Sequence, residues 1–257
     1  MTAPARVPTL ARRAATRQNA AMHTYSLPAC CGPLSDHWPL PQPLPNSQFV
    51  STSFDPALVQ PDDFQRSHIP PTHGVAKRQA EFLAGRVCAR EALRRLNGSE
   101  TVPAVGADRA PQWPAGVSGS ITHGKQWAAA LVADSRHWRG LGLDVENLLS
   151  HERAARLQEE ILTPAELRRA SLLDPEQLGL LVTLTFSLKE SLFKALYPLT
   201  LQRFYFEHAE VLEWDAAGSA RLRLLTDLSE EWKSGAELLG QFGQFDGRLL
   251  SLVAVSA

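Results

Sequence analysis

The sequence predicts an α+β protein built of two halves of comparable size. Two observations carry this. A helical pattern followed by strand patterns occurs once in residues 75–146 and again in residues 177–255, although no residue-level repeat links the two. The 257-residue length also suits two units of about 120 residues. Residues 23–146 are read as the N-terminal half and 147–257 as the C-terminal half, behind a basic extension, 1–22, expected to be disordered.

Residues 24–72 are proline-rich, with Trp38-Pro39-Leu40-Pro41 and Pro70-Pro71, and predict an irregular arm holding one strand near Gln48–Phe54. Val75–Leu96 has helical periodicity, and Asn97-Gly98 supplies its stop. Thr101–Pro114 reads as a loop, after which Val117–His123 and Trp127–Val132 are extended. Leu141–Glu146 alternates with period two. His151–Ala170 is charged and helical, with Thr163-Pro164-Ala165-Glu166 opening a new helix by an N-cap and a first-turn proline. From Gln177 to Tyr197 the residues Leu181, Leu184, Leu188, Leu192 and Ala195 form one apolar stripe, and Pro198 is expected to close the helix. Four strands follow, at Phe204–Trp214, Ala220–Leu225, Glu237–Phe245 and Leu249–Val255, separated by turns such as Asp246-Gly247.

A hydrophobic content of 44% and a charged content of 21% are those of an ordinary soluble globular chain. No apolar run approaches the ~20 residues that a membrane-crossing helix needs. The net charge of −1 hides four arginines and no acid in residues 1–22, which leaves −5 on the remainder. That balance argues against a nucleic-acid binder held by bulk charge. Cys30, Cys31 and Cys88 have no metal-ligand spacing and read as reduced thiols of a cytoplasmic protein.

Chemistry concentrates in a few places. Asp144 and Glu146 share one strand face, with Cα atoms ~7 Å apart, a spacing at which two carboxylates can converge on a hard cation. Glu190 lies off the apolar stripe of the 177–197 helix, with Lys194 one turn further on the same side and Lys189 about 100° around. Arg78 and Arg86, two turns apart, present guanidinium groups on one helix face, which suits a phosphate. His123 ends a run of small hydroxyl residues at a strand end.

The set Gly85-Arg86, Gly119-Ser120-Ile121-Thr122-His123, Gly142-Leu143-Asp144-Val145-Glu146 and Phe186-Ser187-Leu188-Lys189-Glu190 with Lys194 resembles the 4′-phosphopantetheinyl transferase superfamily. The closer likeness is to the branch of enterobactin synthetase component D and the broad-range pseudomonad enzymes, and it runs from about Pro28 to the C-terminus. Gly-x-Asp-x-Glu alone is weak; followed about forty residues later by Ser-x-Lys-Glu, and preceded by the histidine, it is specific.

The resemblance implies transfer of the 4′-phosphopantetheine arm of coenzyme A to a serine of acyl carrier proteins or peptidyl carrier domains, releasing adenosine 3′,5′-bisphosphate. It implies two halves packed as a pseudo-twofold pair with the site in the cleft between them, and a monomer. Asp144, Glu146 and Glu190 would hold Mg²⁺, and Lys194 would stabilise charge on the departing bisphosphate. Glu190 or a water on the metal would take the serine proton, with the balance toward a water relayed through Glu190. His123 and Thr122 would contact phosphates, Arg86 and Arg78 the 3′-phosphate, and Lys189 either phosphate or the neighbouring carboxylates. Arg109 stands in Asp108-Arg109-Ala110-Pro111, where relatives have Gly-Lys-Pro, and Phe186 stands where they have tryptophan. Fatty-acid and siderophore carriers are both possible acceptors. The alternatives are a Mg²⁺-dependent hydrolase of coenzyme A or nucleotides, which leaves the arginines, His123 and Lys194 unexplained, and a non-catalytic carrier binder, which would have lost an acidic ligand.

Overall fold

The computed structural model describes residues 25–257; the basic extension expected at 1–22 lies outside them. The elements in order are β1 (Ser47–Ser53), α1 (Asp63–Arg66), α2 (Ala76–Asn97), β2 (Ala104–Val105), β3 (Pro111–Gln112), β4 (Val117–Gly124), β5 (Trp127–Asp134) and β6 (Trp138–Asn147), then α3 (His151–Ile161), α4 (Pro164–Ala170), α5 (Leu178–Thr200), β7 (Ala209–Trp214), β8 (Ser219–Leu224), β9 (Glu237–Phe245) and β10 (Arg248–Ser256). The sheets are antiparallel, in orders β1-β5-β4 and β6-β10-β9-β8-β7, with β2-β3 a small hairpin.

The repeat invisible in the residues is present in the topology. A strand (β1), a long helix (α2) and a hairpin (β4–β5) pair in the order β1-β5-β4. A strand (β6), a long helix (α5) and a hairpin (β9–β10) pair in the order β6-β10-β9. The two sheets bury Phe49, Leu131, Leu143, Val145, Leu250 and Leu252 against each other. Helix α2 covers the outer face of the first sheet through Leu83, Val87, Cys88 and Leu93. Helix α5 covers that of the second through Leu184, Leu188, Leu192 and Leu196.

Because β6 pairs with β10, the strand bearing Asp144 and Glu146 belongs to the second sheet. The seam between halves therefore falls in the turn Ser135-Arg136-His137, not after Glu146 as the sequence boundary had it. Helix α5 also runs past Pro198 to Thr200, where Leu201 at φ 54° caps it and donates its N–H to the Tyr197 carbonyl. The proline removes one ladder bond near the end of the helix, so the last turn survives it. The segment 151–170 divides into α3 and α4, and Thr163 with Glu166 makes a full capping box at the second. The strand expected from Phe204 begins only at Ala209, after a 3₁₀ turn at Phe206–His208.

Candidate active site

Two glycines bring α5 onto β6. A Cβ on Gly140 would lie 2.5 Å from the Ala195 carbonyl oxygen, and one on Gly142 would overlap the Ser191 carbonyl. One turn further back, the Ser187 hydroxyl donates to the Asp144 carbonyl at 3.3 Å. Four helical residues rise ~6.0 Å and two strand residues ~6.6 Å, so each turn of α5 matches one same-face step of antiparallel β6. Gly140, Gly142, Asp144 and Glu146 share that face, so the acids emerge where the glycines end. Ser187, Ser191 and Ser251, all buried, lock this contact, with hydroxyl separations of 2.7 and 2.8 Å to Ser251.

A second seam joins the halves. Ser118, Ser120 and Thr122 alternate along β4 and turn their hydroxyls to the free edge of β6. Ser120 accepts the Leu143 N–H and Thr122 the Val145 N–H, each at 2.9 Å, and Ser118 donates to the Trp138 carbonyl. The pairing advances in the same direction on both strands, so β4 and β6 end together and bring His123 level with the acids of β6.

The Lys194 ammonium donates to Asp144 Oδ1 at 2.6 Å and to the Leu143 carbonyl at 3.2 Å. Asp144 is buried, and its Oδ2 has no hydrogen-bond partner among the described residues. Burial first, then the Asp144 charge, pushes the Glu146 carboxyl up to about 7. Burial likewise raises Glu190, with Lys194 opposing and Asp144 adding to the shift. His123 is held below its ordinary range by burial, with Glu81 opposing and the charges of Arg78 and Lys194 assisting.

The sequence-predicted residues are thus brought together unequally. Asp144, Glu146, Glu190 and Lys194 share one electrostatic environment that reaches His123. Among the described residues, however, no three His, Cys, Asp or Glu side chains converge tightly enough to form a closed metal cluster. Arg78 Nη1 is 3.5 Å from His123 Nε2, and Arg86 is buried over the Phe82 ring with its pKa lowered to about 10 by burial and by Arg78. Arg109, at φ 72° on the β2–β3 hairpin, lines a cleft of about 280 Å³ together with Lys194, Tyr197 and Arg203.

Two expectations need correction. The Lys189 ammonium meets neither phosphate nor the acids Asp144, Glu146 and Glu190: it is buried, and it donates to Glu166 Oε2, the Ile161 carbonyl and the Phe206 carbonyl. One hundred degrees around the helix from Glu190 is enough to send it into the protein. Thr122 is buried with its oxygen already accepting from the strand seam, so it serves the joint between sheets. Sequence reasoning missed Glu81, whose Oε2 lies 3.9 Å from His123 Nδ1 and 4.0 Å from Arg78 Nη1; the Arg78-x-x-Glu81 spacing carried that signal.

The donor set suits a hard divalent cation: oxygen ligands only, one buried carboxylate oxygen without a partner, and two carboxyls raised by burial among like charges.

Fold and site together define a pseudo-twofold α+β protein in which Asp144, Glu146, Glu190 and Lys194 share one electrostatic environment with His123 and Arg78 beside it. Two family models match its two halves. The 4′-phosphopantetheinyl transferase N-terminal domain matches residues 65–133, and the 4′-phosphopantetheinyl transferase superfamily matches residues 140–250. The 4′-phosphopantetheinyl transferase Svp of Streptomyces mobaraensis is 32% identical over 222 residues, covering 81% of this chain and 84% of that protein. Enterobactin synthase component D of Escherichia coli O157:H7 is 45% identical over 123 residues, or 48% of this chain and 57% of that protein. The match thus spans little more than half the length of that relative. The solved holo-[acyl-carrier-protein] synthase of Thermotoga maritima is 24% identical with a TM-score of 0.35, covering 45% of this chain and 61% of that one. The chain belongs to the 4′-phosphopantetheinyl transferase superfamily.

Proposed function

We propose that this chain transfers the 4′-phosphopantetheine group of coenzyme A to a serine of acyl carrier proteins or peptidyl carrier domains. The reading rests above all on one observation: α5 is set over β6 so that Glu190 and Lys194 share the environment of Asp144 and Glu146, with Asp144 Oδ2 buried and unpartnered.

In the reaction the carrier serine oxygen forms a bond to the phosphorus bearing pantetheine. The bond from that phosphorus to the bridging oxygen breaks, and adenosine 3′,5′-bisphosphate leaves with the electron pair. Asp144, Glu146 and Glu190 would hold Mg²⁺, which would supply positive charge to the diphosphate and to the leaving group. Arg78, beside His123, and the neighbouring Arg86 bind phosphate, and Arg109 lines a cleft with Lys194. His123, its pKa lowered mainly by burial, contacts phosphate beside Arg78, with Glu81 3.9 Å from its Nδ1. Lys194 contributes an ammonium that can pass from Asp144 to the leaving oxygen. Glu190 accepts the serine proton, directly or through a water. Both walls of the cleft come from one chain, which fits a monomer.

The test is the intact mass of an apo carrier protein after incubation with coenzyme A and Mg²⁺. A gain of one phosphopantetheine group, abolished in Glu190→Ala and Asp144→Ala and by chelator, is expected. Cleavage of coenzyme A without a change in the carrier would make the chain a diphosphate hydrolase instead.

A further inference from the structure

We propose that Lys189 is a positioning residue, its ammonium fixing the Phe206 turn as a wall beside Glu190. The proposal rests on the phosphopantetheine-transfer reading for its kinetic readout but not for its structural one. Lys189 is 2% exposed and Glu166 4%, so the pair is taken out of water as a unit. The three ammonium protons meet three oxygens: Glu166 Oε2 at 2.7 Å, the Ile161 carbonyl at 2.8 Å and the Phe206 carbonyl at 2.9 Å. Glu166 in turn accepts the Thr163 N–H at 2.7 Å and the Val211 N–H at 2.6 Å. A single side chain of α5 therefore ties the end of α3, the cap of α4, the Phe206 turn and the start of β7.

What those ties hold in place is the reason to assign more than fold stability. Phe206 packs on Phe186 with ring centroids 5.3 Å apart. It lines a cleft of about 200 Å³ with Glu190, Phe193 and Arg203. It also lines a cleft of about 170 Å³ with Glu146, Arg153 and Phe186. Phe206 is thus shared by two clefts, each opening on one of the acidic residues. A buried ion pair can often be replaced by apolar groups without loss of stability, so its directional bonds, more than its energy, are what substitution removes.

The experiment compares wild type with Lys189→Met, Lys189→Met/Glu166→Gln, Phe206→Ala and Lys189→Met/Phe206→Ala. The single Lys189→Met leaves Glu166 as an uncompensated buried charge and is expected to lower Tm sharply. The Gln-containing double variant removes both charges, keeps an acceptor for the Val211 N–H while giving up the one for the Thr163 N–H, and is expected to recover much of the Tm. Its kcat is nevertheless expected to stay down by at least about tenfold, the scale of a small misplacement at a reacting centre. The preference for coenzyme A over 3′-dephospho-coenzyme A is expected to be unchanged, and Phe206→Ala to add little on top of Lys189→Met. Hydrogen exchange at residues 206–208 is expected to quicken in Lys189→Met and in Lys189→Met/Glu166→Gln. Recovery of kcat together with Tm would make the pair structural only, and an altered substrate preference would mean that the lysine acts on phosphate. Unchanged exchange at the Phe206 turn overturns the proposal even if the wild-type chain transfers nothing to any carrier.

Discussion

Ser191 lies over Gly142 so closely that a methyl group on the glycine would overlap the serine carbonyl oxygen. This one approach sets the height of α5 above β6, and with it the distance between the acids of the strand and Glu190 of the helix.

Gly142→Ala is therefore expected to damage both stability and activity. The obstructing atom is helix backbone, which cannot swing aside, so α5 must shift as a body. Overpacking of this kind costs about 1–3 kcal/mol. Thermal unfolding and transfer rate, measured on the same preparation, should fall together. A variant with wild-type Tm would show that the helix contact is softer than its geometry.

Thr122→Val separates the seam from phosphate binding. The substitution keeps the shape but leaves the buried Val145 N–H without its acceptor, at a cost of about 1–3 kcal/mol. The loss should appear in denaturant midpoint, with KM for coenzyme A nearly unchanged. A rise in KM without loss of stability would instead return Thr122 to the phosphate role expected from sequence.

Glu190→Ala is expected to fold normally and to lose transfer activity by about two to three orders of magnitude, on the scale of removing a central electrostatic group. The residue sits off the packed stripe of α5 and lines a cleft, so its removal opens no core cavity. Asp144→Asn should act similarly while weakening Lys194, whose ammonium loses its charged partner at 2.6 Å. Calorimetric titration with Mg²⁺ should show binding in wild type and none in either variant.

The sequence made the strand and helix periods legible because each is a local pattern. The alternation Leu141–Glu146 and the Leu184–Leu188–Leu192 stripe needed no partner to be read. What it hid was pairing at long range. Nothing local says that β6 hydrogen-bonds to β10 rather than to the preceding strands, so the boundary expected after Glu146 lies about ten residues beyond the turn at Ser135-Arg136-His137. Lys189 and Lys194 look alike in sequence, both a short step from Glu190. Only the packing of α3, α4 and the Phe206 turn against α5 decides that one faces inward and the other the acids. Gly140 and Gly142 likewise read as ordinary strand glycines until the helix above them is known.

The cleft should also couple protons to cation binding. Glu146 is raised by burial, then by Asp144, to about 7, against ~4.3 for an unperturbed glutamate. The folded state therefore binds more protons than the unfolded chain between those values, and this group's contribution to stability falls as pH rises through that window. His123, held low by burial, has the opposite sign below its ordinary value, so the cation-free protein alone would give a mixed curve. The difference between wild type and Glu146→Gln isolates the carboxyl: relative to the variant, wild type should lose Tm from about pH 5 to pH 7.5. Added Mg²⁺ should restore more Tm at pH 7.5 than at pH 5, and in weak buffer at pH 6.5 it should release protons from wild type and fewer from Glu146→Gln. A wild-type curve parallel to that of the variant, with no proton release, would mean that Glu146 is already ionised and lies outside the acidic cluster.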